Sequence, residues 1–262
     1  MNIVKDSLDL IGNTPLLLVK NLDTGPCNLY LKLESFNLGG SIKDRPAKNM
    51  IIEAEKKGLL KKGGTIVEAT AGNTGIALAI MAVKRGYKVV IIVPDKMTIE
   101  KVYHLKALGA EVIVARSDVV NGHPEYYLEI AKKIAKERKA FYINQFSNQA
   151  NIKSHIKDLG PEIYKQLNGK IHAFVAGVGT GGTISGIGKF LKSKNKKCEL
   201  VLADPKGSIL KDLIKTGKIN KNVGSWIVEG IGEDFCPPLL DTSLIDHAYS
   251  ISDFEAINSC RK

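Results

Sequence analysis

A seven-residue run without polar alternation, KVVIIVP at residues 88–94, restricts the fold of this chain more than any other feature. Strands that face water on one side alternate apolar with polar residues, whereas strands of a parallel sheet are covered on both faces and stay apolar. Two segments with helical character flank the run, TGIALAIMAVKR at 74–85 and TIEKVYHLKALG after it. The arrangement therefore predicts a parallel sheet that is covered by helices.

The same alternation of strand-like and helix-like segments continues along the chain. Further strands are predicted at TIVEA (65–69), AEVIVAR (110–116), AFYIN (140–144), IHAFVAGV (171–178) and CELVLAD (198–204). Further helices are predicted from Pro124 in PEYYLEIAKKIAKERK and at TISGIGKFLKSK (183–194). The alternation predicts an α/β fold with two doubly wound, mostly parallel-sheet domains, in which ligand sites lie in loops at the carboxyl ends of strands.

The net charge of +11 raises the question of nucleic acid binding, but its make-up argues against that function. Only five of the 38 basic residues are arginine, and the lysines are spread along the whole chain. Proteins that read bases and phosphates favour the forked guanidinium of arginine. We therefore expect a lysine-rich solvated surface, which also attracts anionic small molecules, and no nucleic acid partner.

No targeting, membrane or metal feature is expected from the sequence. The most apolar run, at 75–83, is too short to span a bilayer, and the N-terminus has acids and no long apolar stretch. The four cysteines lack CxxC spacing and are interpreted as free thiols, and the five histidines form no HxxxH pair. The expectation is a cytoplasmic protein with no membrane partner and no bound metal.

Lys43 is the first candidate functional residue, because it lies between a glycine pair, Gly39-Gly40, and a predicted helix start near Pro46. A helix N-terminus carries partial positive charge and disfavours an ammonium group. A lysine that is meant only for solvation has no reason to be there. A lysine that must lose its proton and attack a carbonyl group suits this position.

The loop GVGTGGTISG at 177–186 follows a predicted strand and opens a predicted helix. Successive backbone N–H groups in such a loop can hold a phosphate, and the helix dipole favours its negative charge. Glycines 179, 181 and 182 permit close approach, and Thr180 and Thr183 can add hydroxyl donors. A dinucleotide site is the alternative, because residues 177–182 also satisfy GxGxxG and Asp204 ends the next strand. That alternative gives no role to Lys43.

A second polar loop, TAGNTG at 70–75, also joins a strand end to a helix start. Its hydroxyl groups (Thr70, Thr74), its amide (Asn73) and the N–H groups near its glycines suit a carboxylate and a neighbouring phenol-like oxygen. The alternative is a polar turn in which Thr or Asn only caps the helix at 74–85.

Lys43 in GGSIKDR, Asn73 in TAGNTGIALA and the glycine loop occur in an order and at separations that resemble one family. This is the fold-type II family of pyridoxal-phosphate enzymes, with its tryptophan synthase β-like fold, and specifically its cysteine synthase and cystathionine β-synthase branch. Further segments of the same resemblance span nearly the whole chain: IGNTPL (11–16), EKVYHLKALGAEV (100–112), NQFSNQAN (144–151), DPKGSIL (204–210) and VEGIGEDFCP (228–237).

The resemblance implies pyridoxal 5'-phosphate as cofactor and a role for each matching residue. Lys43 would hold the cofactor as an internal Schiff base and then move protons as the catalytic base. Asn73 would hydrogen-bond the cofactor's ring oxygen. The phosphate would be held by Gly179, Thr180, Gly181, Gly182 and Thr183. The substrate would be contacted by Thr70, Ala71, Gly72, Asn73, Thr74, Gln145, Gly230, Glu233 and Asp234, the last two shaping the chemistry of the β-substituent.

The implied reaction is β-elimination or β-replacement on serine, O-acetylserine or cysteine through an aminoacrylate, with a thiol or water as co-substrate. The implied domains are a larger phosphate-binding domain (1–40 plus 150–262) and a smaller substrate-gripping domain (41–149) that moves on substrate binding. A homodimer is also implied. Two rival functions remain: a nucleotide-dependent oxidoreductase that uses GxGxxG, and a non-catalytic member of the family.

Two departures from the family pattern limit what carries over. Position 71 is Ala where many relatives have Ser, so a hydroxyl group near the substrate carboxylate is missing. Relatives are expected to continue beyond INSCRK to a Gly/Ser-rich segment whose Ser or Thr faces the pyridine nitrogen. A fragment, a trimmed form or a natural truncation would each explain the end at Lys262.

Overall fold

The computed structural model describes residues 3–70, 72–119, 122–219 and 223–261. The chain divides into two compact units. The first consists of Glu34–Ala150 with the N-terminal segment through Gly12, and the second consists of Asn13–Leu33 with the chain from Asn151 onward. The functional roles predicted for two domains, and the movement of one of them, stay predictions.

The described residues form an α/β fold, as the sequence predicts. The strands are β1 (Leu16–Leu18), β2 (Tyr30–Lys32), β3 (Thr65–Ala69), β4 (Lys88–Pro94), β5 (Glu111–Ala115), β6 (Phe141–Tyr142), β7 (Ala173–Ala176), β8 (Glu199–Pro205) and β9 (His247–Ile251). The helices are α1 (Asp44–Lys56), α2 (Asn73–Arg85), α3 (Ile99–Ala107), α4 (Tyr127–Glu137), α5 (Gln149–Ser154), α6 (Gly160–Gln166), α7 (Gly182–Lys194), α8 (Leu210–Thr216) and α9 (Asp253–Cys260). A π-helical stretch, His155–Leu159, joins α5 to α6.

The first unit is built on a parallel sheet with strand order β5-β4-β3-β6. Residues of β4 alternate between two apolar clusters because successive side chains of a strand point to opposite faces. Ile91 belongs to the cluster that contains Ile51 of α1 and Leu78 of α2. Ile92 belongs to the cluster that contains Ala131 of α4. Coverage on both faces explains why the run at 88–94 lacks polar alternation.

Helix α2 follows the prediction closely because its ends have clear local causes. It begins at Asn73, and Gly86 ends it in the left-handed conformation, with φ of 73°. Glycine adopts this conformation without the Cβ clash that other residues suffer. The loop before α2 and the strand after it are thereby set at the predicted positions.

Two helix starts differ from the prediction. Helix α4 begins at Tyr127 rather than at Pro124, because the preceding residues form a turn in which the Tyr126 N–H donates to the His123 carbonyl. Helix α1 begins at Asp44, so Pro46 is its third residue rather than its first. Proline is tolerated there because N–H groups of the first turn have no acceptor within the helix.

The second unit contains a parallel sheet of order β7-β8-β9 and an antiparallel pair, β1 with β2. Leu202 of β8, Ala248 of β9 and Ile184 of α7 lie in its apolar cluster. The Glu162 carboxylate of α6 accepts hydrogen bonds from the N–H groups of residues 13 and 14, at 2.9 and 3.0 Å, and also pairs with Lys32. These bonds attach the segment that carries β1 and β2 to α6.

Three chemical features complete the description of the fold. The cysteines at 27, 198, 236 and 260 are free thiols. In the part of the chain that the structure describes, no cluster of His, Cys, Asp or Glu is arranged to hold a metal ion. Over the same residues, no helix combines the length and the apolar character that crossing a membrane requires.

Candidate functional site

Lys43 is the N-cap residue of α1, as the sequence predicts for a lysine at a helix start. Its side chain is half-buried. The backbone is fixed on both sides, because the Lys43 N–H donates to Ser41 Oγ at 3.2 Å and its carbonyl accepts from the Ala47 N–H at 3.0 Å. Lys43 is therefore set by the local chain at the first turn of a helix.

The glycines before Lys43 are explained by the turn itself. The Gly39 N–H donates to Asp44 Oδ2, and a Cβ at Gly39 would lie 2.5 Å from Asp44 Oδ1. Gly40 has φ of 77°, a left-handed conformation that favours glycine. Burial raises the pKa of the Asp44 carboxyl, and the nearby Glu34 adds to this shift. Close approach to a ligand is not needed to account for this glycine pair.

A buried ion pair fixes the second residue of α1. The Arg45 side chain is fully buried, and its Nε and Nη2 donate to the two carboxylate oxygens of Glu34 at 2.7 and 2.9 Å. Bidentate pairs of this kind hold both direction and position. The start of α1, and with it the backbone of Lys43, is tied to the residues at 34–36.

The loop before α2 presents polar groups without using them as a helix cap. Gly72 is the N-cap residue, no side chain caps the helix there, and the Asn73 side chain is exposed. Thr70 is buried, and its Oγ1 accepts from the Gly72 N–H at 3.2 Å. The alternative in which Thr or Asn merely caps α2 is therefore wrong. Ala71, a predicted substrate contact, lies outside the described residues.

The structure brings together Thr74 and Gln145, two predicted substrate-binding residues that are 71 positions apart. Both are buried, and Thr74 Oγ1 donates to Gln145 Oε1 at 2.6 Å. Gln145 Nε2 lies 3.4 Å from the Ala69 carbonyl oxygen, which makes a long hydrogen bond. The side-chain amide of Gln145 thus lies between Thr74 and the end of β3.

Glu68, whose carboxyl group accepts from the backbone N–H of Gln145, is not predicted as a functional residue from the sequence. Its side chain has no exposed surface, although it lies in the apolar strand β3. Glu68 Oε1 accepts from the Ala69 N–H at 3.0 Å, and Oε2 accepts from the Gln145 N–H at 3.2 Å. Burial raises the pKa of Glu68 to about 8. An acid within TIVEA, a run otherwise suited to a buried strand, was the signal that could have found it.

In the second unit, the glycine loop ends at the start of α7. Gly181 is the N-cap residue, with φ of 82°, and no side chain caps the helix. Thr180 is buried; its Oγ1 accepts from Asn151 Nδ2 at 3.1 Å and, weakly, from the Gly182 N–H at 3.4 Å. Thr183 Oγ1 lies 3.3 Å from His155 Nε2. The first N–H groups of an α-helix have no acceptor within the helix, so this turn can receive an anion.

The loop is packed so closely that its glycines cannot be replaced without movement. A Cβ at Gly181 would lie 2.7 Å from the Leu240 nitrogen, and one at Gly182 would overlap Asn151 Oδ1. A Cβ at Gly179 would lie 2.6 Å from the Gly230 carbonyl oxygen. Packing against the protein's own atoms is therefore one physical reason for these glycines.

Two further predicted residues lie beside this loop, and a third faces solvent. Gly230 contacts Gly179 through its carbonyl, and Glu233 Oε1 would lie 3.9 Å from a Cβ at Gly179. The Glu233 N–H donates to Ser208 Oγ at 3.1 Å. Asp234 is exposed. Glu233, rather than its neighbour, is thus the acid beside the glycine loop.

Asp204, the acid of the dinucleotide alternative, has a structural role. It is buried, and its Oδ2 accepts from the Lys211 N–H at 2.8 Å in the first turn of α8. Burial raises the pKa of the Asp204 carboxyl. A carboxylate that binds a ribose hydroxyl must be reachable from the loop, so this burial does not favour the dinucleotide interpretation.

Comparison with known proteins identifies relatives along nearly the whole chain. A sequence model of the family described as "Pyridoxal-phosphate dependent enzyme" matches residues 8–262. Cystathionine beta-synthase of Apis mellifera is 44% identical over 99% of this chain and 52% of its own length, so the chain spans about half of that relative. O-acetylserine dependent cystathionine beta-synthase of Bacillus subtilis is 41% identical over 98% of this chain and 80% of its own length.

A solved structure agrees with the sequence relatives. The crystal structure of a hydrogen sulfide-producing enzyme from Fusobacterium nucleatum matches 99% of this chain and 84% of that chain. The TM-score is 0.89, and the sequence identity is 38%.

Proposed function

The chain belongs to the family of pyridoxal-phosphate dependent enzymes, and we propose that it catalyses β-elimination or β-replacement on serine, O-acetylserine or cysteine. The observation that carries this proposal is similarity over nearly the whole chain to enzymes named for cystathionine synthesis and for hydrogen sulfide production. The nucleotide-dependent oxidoreductase is not favoured, because Asp204 is buried and its carboxylate accepts from the Lys211 N–H of α8.

The start of α7 fits the cofactor's phosphate. The N-cap Gly181 has no side-chain acceptor, the Gly182 N–H makes a long bond to Thr180 Oγ1, and the first N–H groups of a helix have no acceptor within it, so the turn can receive an anion. The helix dipole favours the negative charge there by roughly 0.3–1 kcal/mol. We assign the phosphate to residues 179–183, with the hydroxyl groups of Thr180 and Thr183 as further donors, and the ring oxygen to Asn73.

Lys43 is the residue that we assign to the cofactor's aldehyde. Lys43 is the N-cap residue of α1, and its primary amine is the group that can attack a carbonyl carbon. When bound, the cofactor supplies an electron sink for the charge that develops at the substrate Cα. The task of Lys43 is then to take the Cα proton and return it, which a fixed position makes effectively unimolecular.

The loop at 70–74 and Gln145 are assigned to the substrate carboxylate. Thr70, Ala71, Gly72, Asn73 and Thr74 would contribute N–H and hydroxyl donors, and the side-chain amide of Gln145, which lies beside Thr74, would add a further donor. Binding the carboxylate orients the amino acid so that its Cα proton faces the base. The missing hydroxyl at Ala71 leaves one donor fewer than in relatives with Ser.

Glu233 and Asp234 are assigned to the β-substituent, together with the backbone at Gly230. A carboxyl group there can protonate a leaving hydroxyl or thiol, or activate a thiol or water co-substrate. The half-buried position of Glu233 beside the glycine loop supports it over the exposed Asp234. We further propose, from the family resemblance, that the protein is cytoplasmic and forms a homodimer. Light scattering after size exclusion would test the homodimer.

The proposed function is tested with purified protein that is saturated with pyridoxal phosphate. L-serine, O-acetyl-L-serine and L-cysteine are supplied in turn, each with and without homocysteine or sulfide, and products are identified by mass spectrometry. Cystathionine, cysteine or hydrogen sulfide is expected from at least one substrate, and Lys43→Ala should lower the rate by at least about a thousandfold.

The assay has two informative negative results. A cofactor-loaded wild-type protein that converts none of the three amino acids would show a non-catalytic family member. In Glu233→Gln and Asp234→Asn, unchanged rates for all three substrates would contradict the assignment of these acids to the β-substituent.

A further inference from the structure

Glu68 lies where the backbone of one strand end meets that of another. It is the penultimate residue of β3, and its side chain has no exposed surface. One carboxyl oxygen accepts from the N–H of the next residue, Ala69, and the other accepts from the N–H of Gln145. Gln145 follows β6, the strand that pairs with β3. A single buried carboxyl group therefore joins the end of β3, which leads into residues 70–74, to the segment that carries Gln145.

Hydrogen bonds continue from Glu68 to the predicted carboxylate site. Once the Gln145 backbone is fixed, its Oε1 accepts from Thr74 Oγ1 at 2.6 Å. The Gln145 side chain also reaches back to the Ala69 carbonyl. All of these residues belong to the first unit. The path Glu68–Gln145–Thr74 thus links a fully buried acid to two polar side chains of the proposed substrate site.

Burying the Glu68 carboxyl group in this sheet costs free energy. A carboxyl group in an apolar sheet loses its hydration, and burial raises the pKa of Glu68 to about 8. Its neighbours in β3, Val67 and Ile66, are the residue types that such a strand ordinarily carries. Core packing gives no reason for an acid there, whereas the hydrogen bonds that its oxygens accept, including those from the Ala69 and Gln145 N–H groups, do.

We propose that Glu68 is a positioning residue for the substrate carboxylate, because its carboxyl group holds the Gln145 backbone against the end of β3 and so keeps Gln145 and Thr74 in their binding orientation. The inference rests on the proposed function and deepens it. Glu68 itself contacts neither substrate nor cofactor in this assignment. Its effect reaches the site through Gln145, so it should act on binding of the amino acid more than on the chemical steps.

The test compares Glu68→Gln with wild type, both loaded with cofactor. Gln keeps the shape of Glu, but its NH₂ group cannot accept, so one of the two backbone bonds is lost. L-alanine serves as the probe, because it has a carboxylate but no β leaving group, and its Kd is read from the cofactor's absorbance. Glu68→Gln should raise this Kd and the substrate KM about tenfold and leave kcat within about twofold.

Val67→Ala is the matched control, because Val67 is the adjacent fully buried residue on the opposite face of β3 and its side chain makes no hydrogen bond. It should lower stability and leave the Kd for L-alanine unchanged. In a Gln145→Ala background, Glu68→Gln should have little further effect on this Kd, because the two act along one path. Glu68→Asp, whose carboxyl is one methylene shorter, replaces Glu68→Gln if that variant does not fold.

Three outcomes would overturn the inference. The Kd for L-alanine is unchanged in Glu68→Gln, or Val67→Ala raises it equally, or the effects of Glu68→Gln and Gln145→Ala are fully additive. If the wild-type protein carries the cofactor but binds no L-alanine, the proposed function itself is overturned, and this inference fails with it. If the wild-type protein binds L-alanine and one of the three outcomes above is found, only the role of Glu68 is overturned.

Discussion

Glu68 and Asp44 are two buried acids, each within a few residues of a predicted site residue, and each holds a backbone N–H rather than facing solvent. Asp44 closes the turn that precedes Lys43, and Glu68 joins β3 to Gln145. For both carboxyl groups, burial raises the pKa. At the scale of single residues, buried acids therefore shape the backbone from which the proposed reactive side chains project.

The raised pKa of Glu68 predicts a pH dependence of stability. The ordinary pKa of 4.5 applies in the unfolded chain, and the folded value is about 8, so between these values the unfolded chain releases a proton that the folded protein keeps. The contribution of Glu68 to the free energy of unfolding is thus complete below about pH 4.5 and falls as pH rises to about 8, by on the order of 1 kcal/mol per pH unit.

Urea unfolding of wild type and Glu68→Gln at several pH values measures this contribution. The difference between the two free energies of unfolding should shrink, or reverse in sign, as pH rises from 5 to 8, because glutamine does not titrate. Tyr142 interacts electrostatically with Glu68, but burial raises the pKa of Tyr142 above its ordinary value of 10, so it stays neutral over this range. A difference that is constant from pH 5 to 8 would contradict the burial effect.

At the scale of elements, strands and helices with strong local causes are predictable from the sequence. The run at 88–94 is β4 at the predicted residues, and Gly86 ends α2 where a left-handed residue is needed. The start of α4 was missed because a turn at 123–126, closed by one backbone bond, precedes it. A proline marks where a helix can begin, but the competing turn depends on backbone geometry that the sequence pattern does not show.

The position of the glycine loop was predicted correctly, but the reason for its glycines was predicted only in part. The sequence indicates a phosphate site at the start of a helix, and the structure has that helix begin at Gly182. It also shows Gly181 and Gly179 against backbone atoms of residues 240 and 230. Contacts over such separations follow from tertiary packing, which one sequence without its fold cannot show.

Glycine substitutions in α7 separate the loop's role in phosphate binding from its role in packing. A Cβ at Gly182 overlaps Asn151 Oδ1, so Gly182→Ala should break the Asn151–Thr180 hydrogen bond and displace the loop. The affinity for pyridoxal phosphate should then fall at least about tenfold, since hydrogen bonds to a charged phosphate contribute about 1.5–3 kcal/mol each. Titration of cofactor-free protein with pyridoxal phosphate gives this affinity.

Gly188→Ala is the control in the same helix. A Cβ there overlaps Leu200 Cδ1 in the core of the second unit, so the variant should lose about 1–3 kcal/mol of stability through overpacking. Its affinity for pyridoxal phosphate, measured where it is folded, should match wild type. Equal losses of affinity in both variants would assign the effect to stability and remove the special role of the loop.

At the scale of the whole molecule, the chain builds two compact units from segments that are not contiguous. The second unit takes Asn13–Leu33 from the N-terminal part of the chain and ties this segment to Glu162, 149 positions away. Hydrogen bonds between residues so far apart in sequence cannot be predicted from local hydrophobic periodicity. The fold class and the family could be recognised from the sequence, whereas the residues that assemble each unit required the structure.

The central claim is that Lys43 carries the cofactor, and covalent trapping tests it most directly. Borohydride reduction of the cofactor-loaded protein, followed by peptide mass spectrometry, locates the pyridoxyl group. Lys48→Ala is the matched control, because Lys48 lies in the same helix and its Nζ donates to the Leu8 carbonyl. We predict a pyridoxyl group on Lys43 in wild type and Lys48→Ala and its absence from Lys43→Ala; a pyridoxyl group on another lysine, or none in a folded protein, would contradict the account.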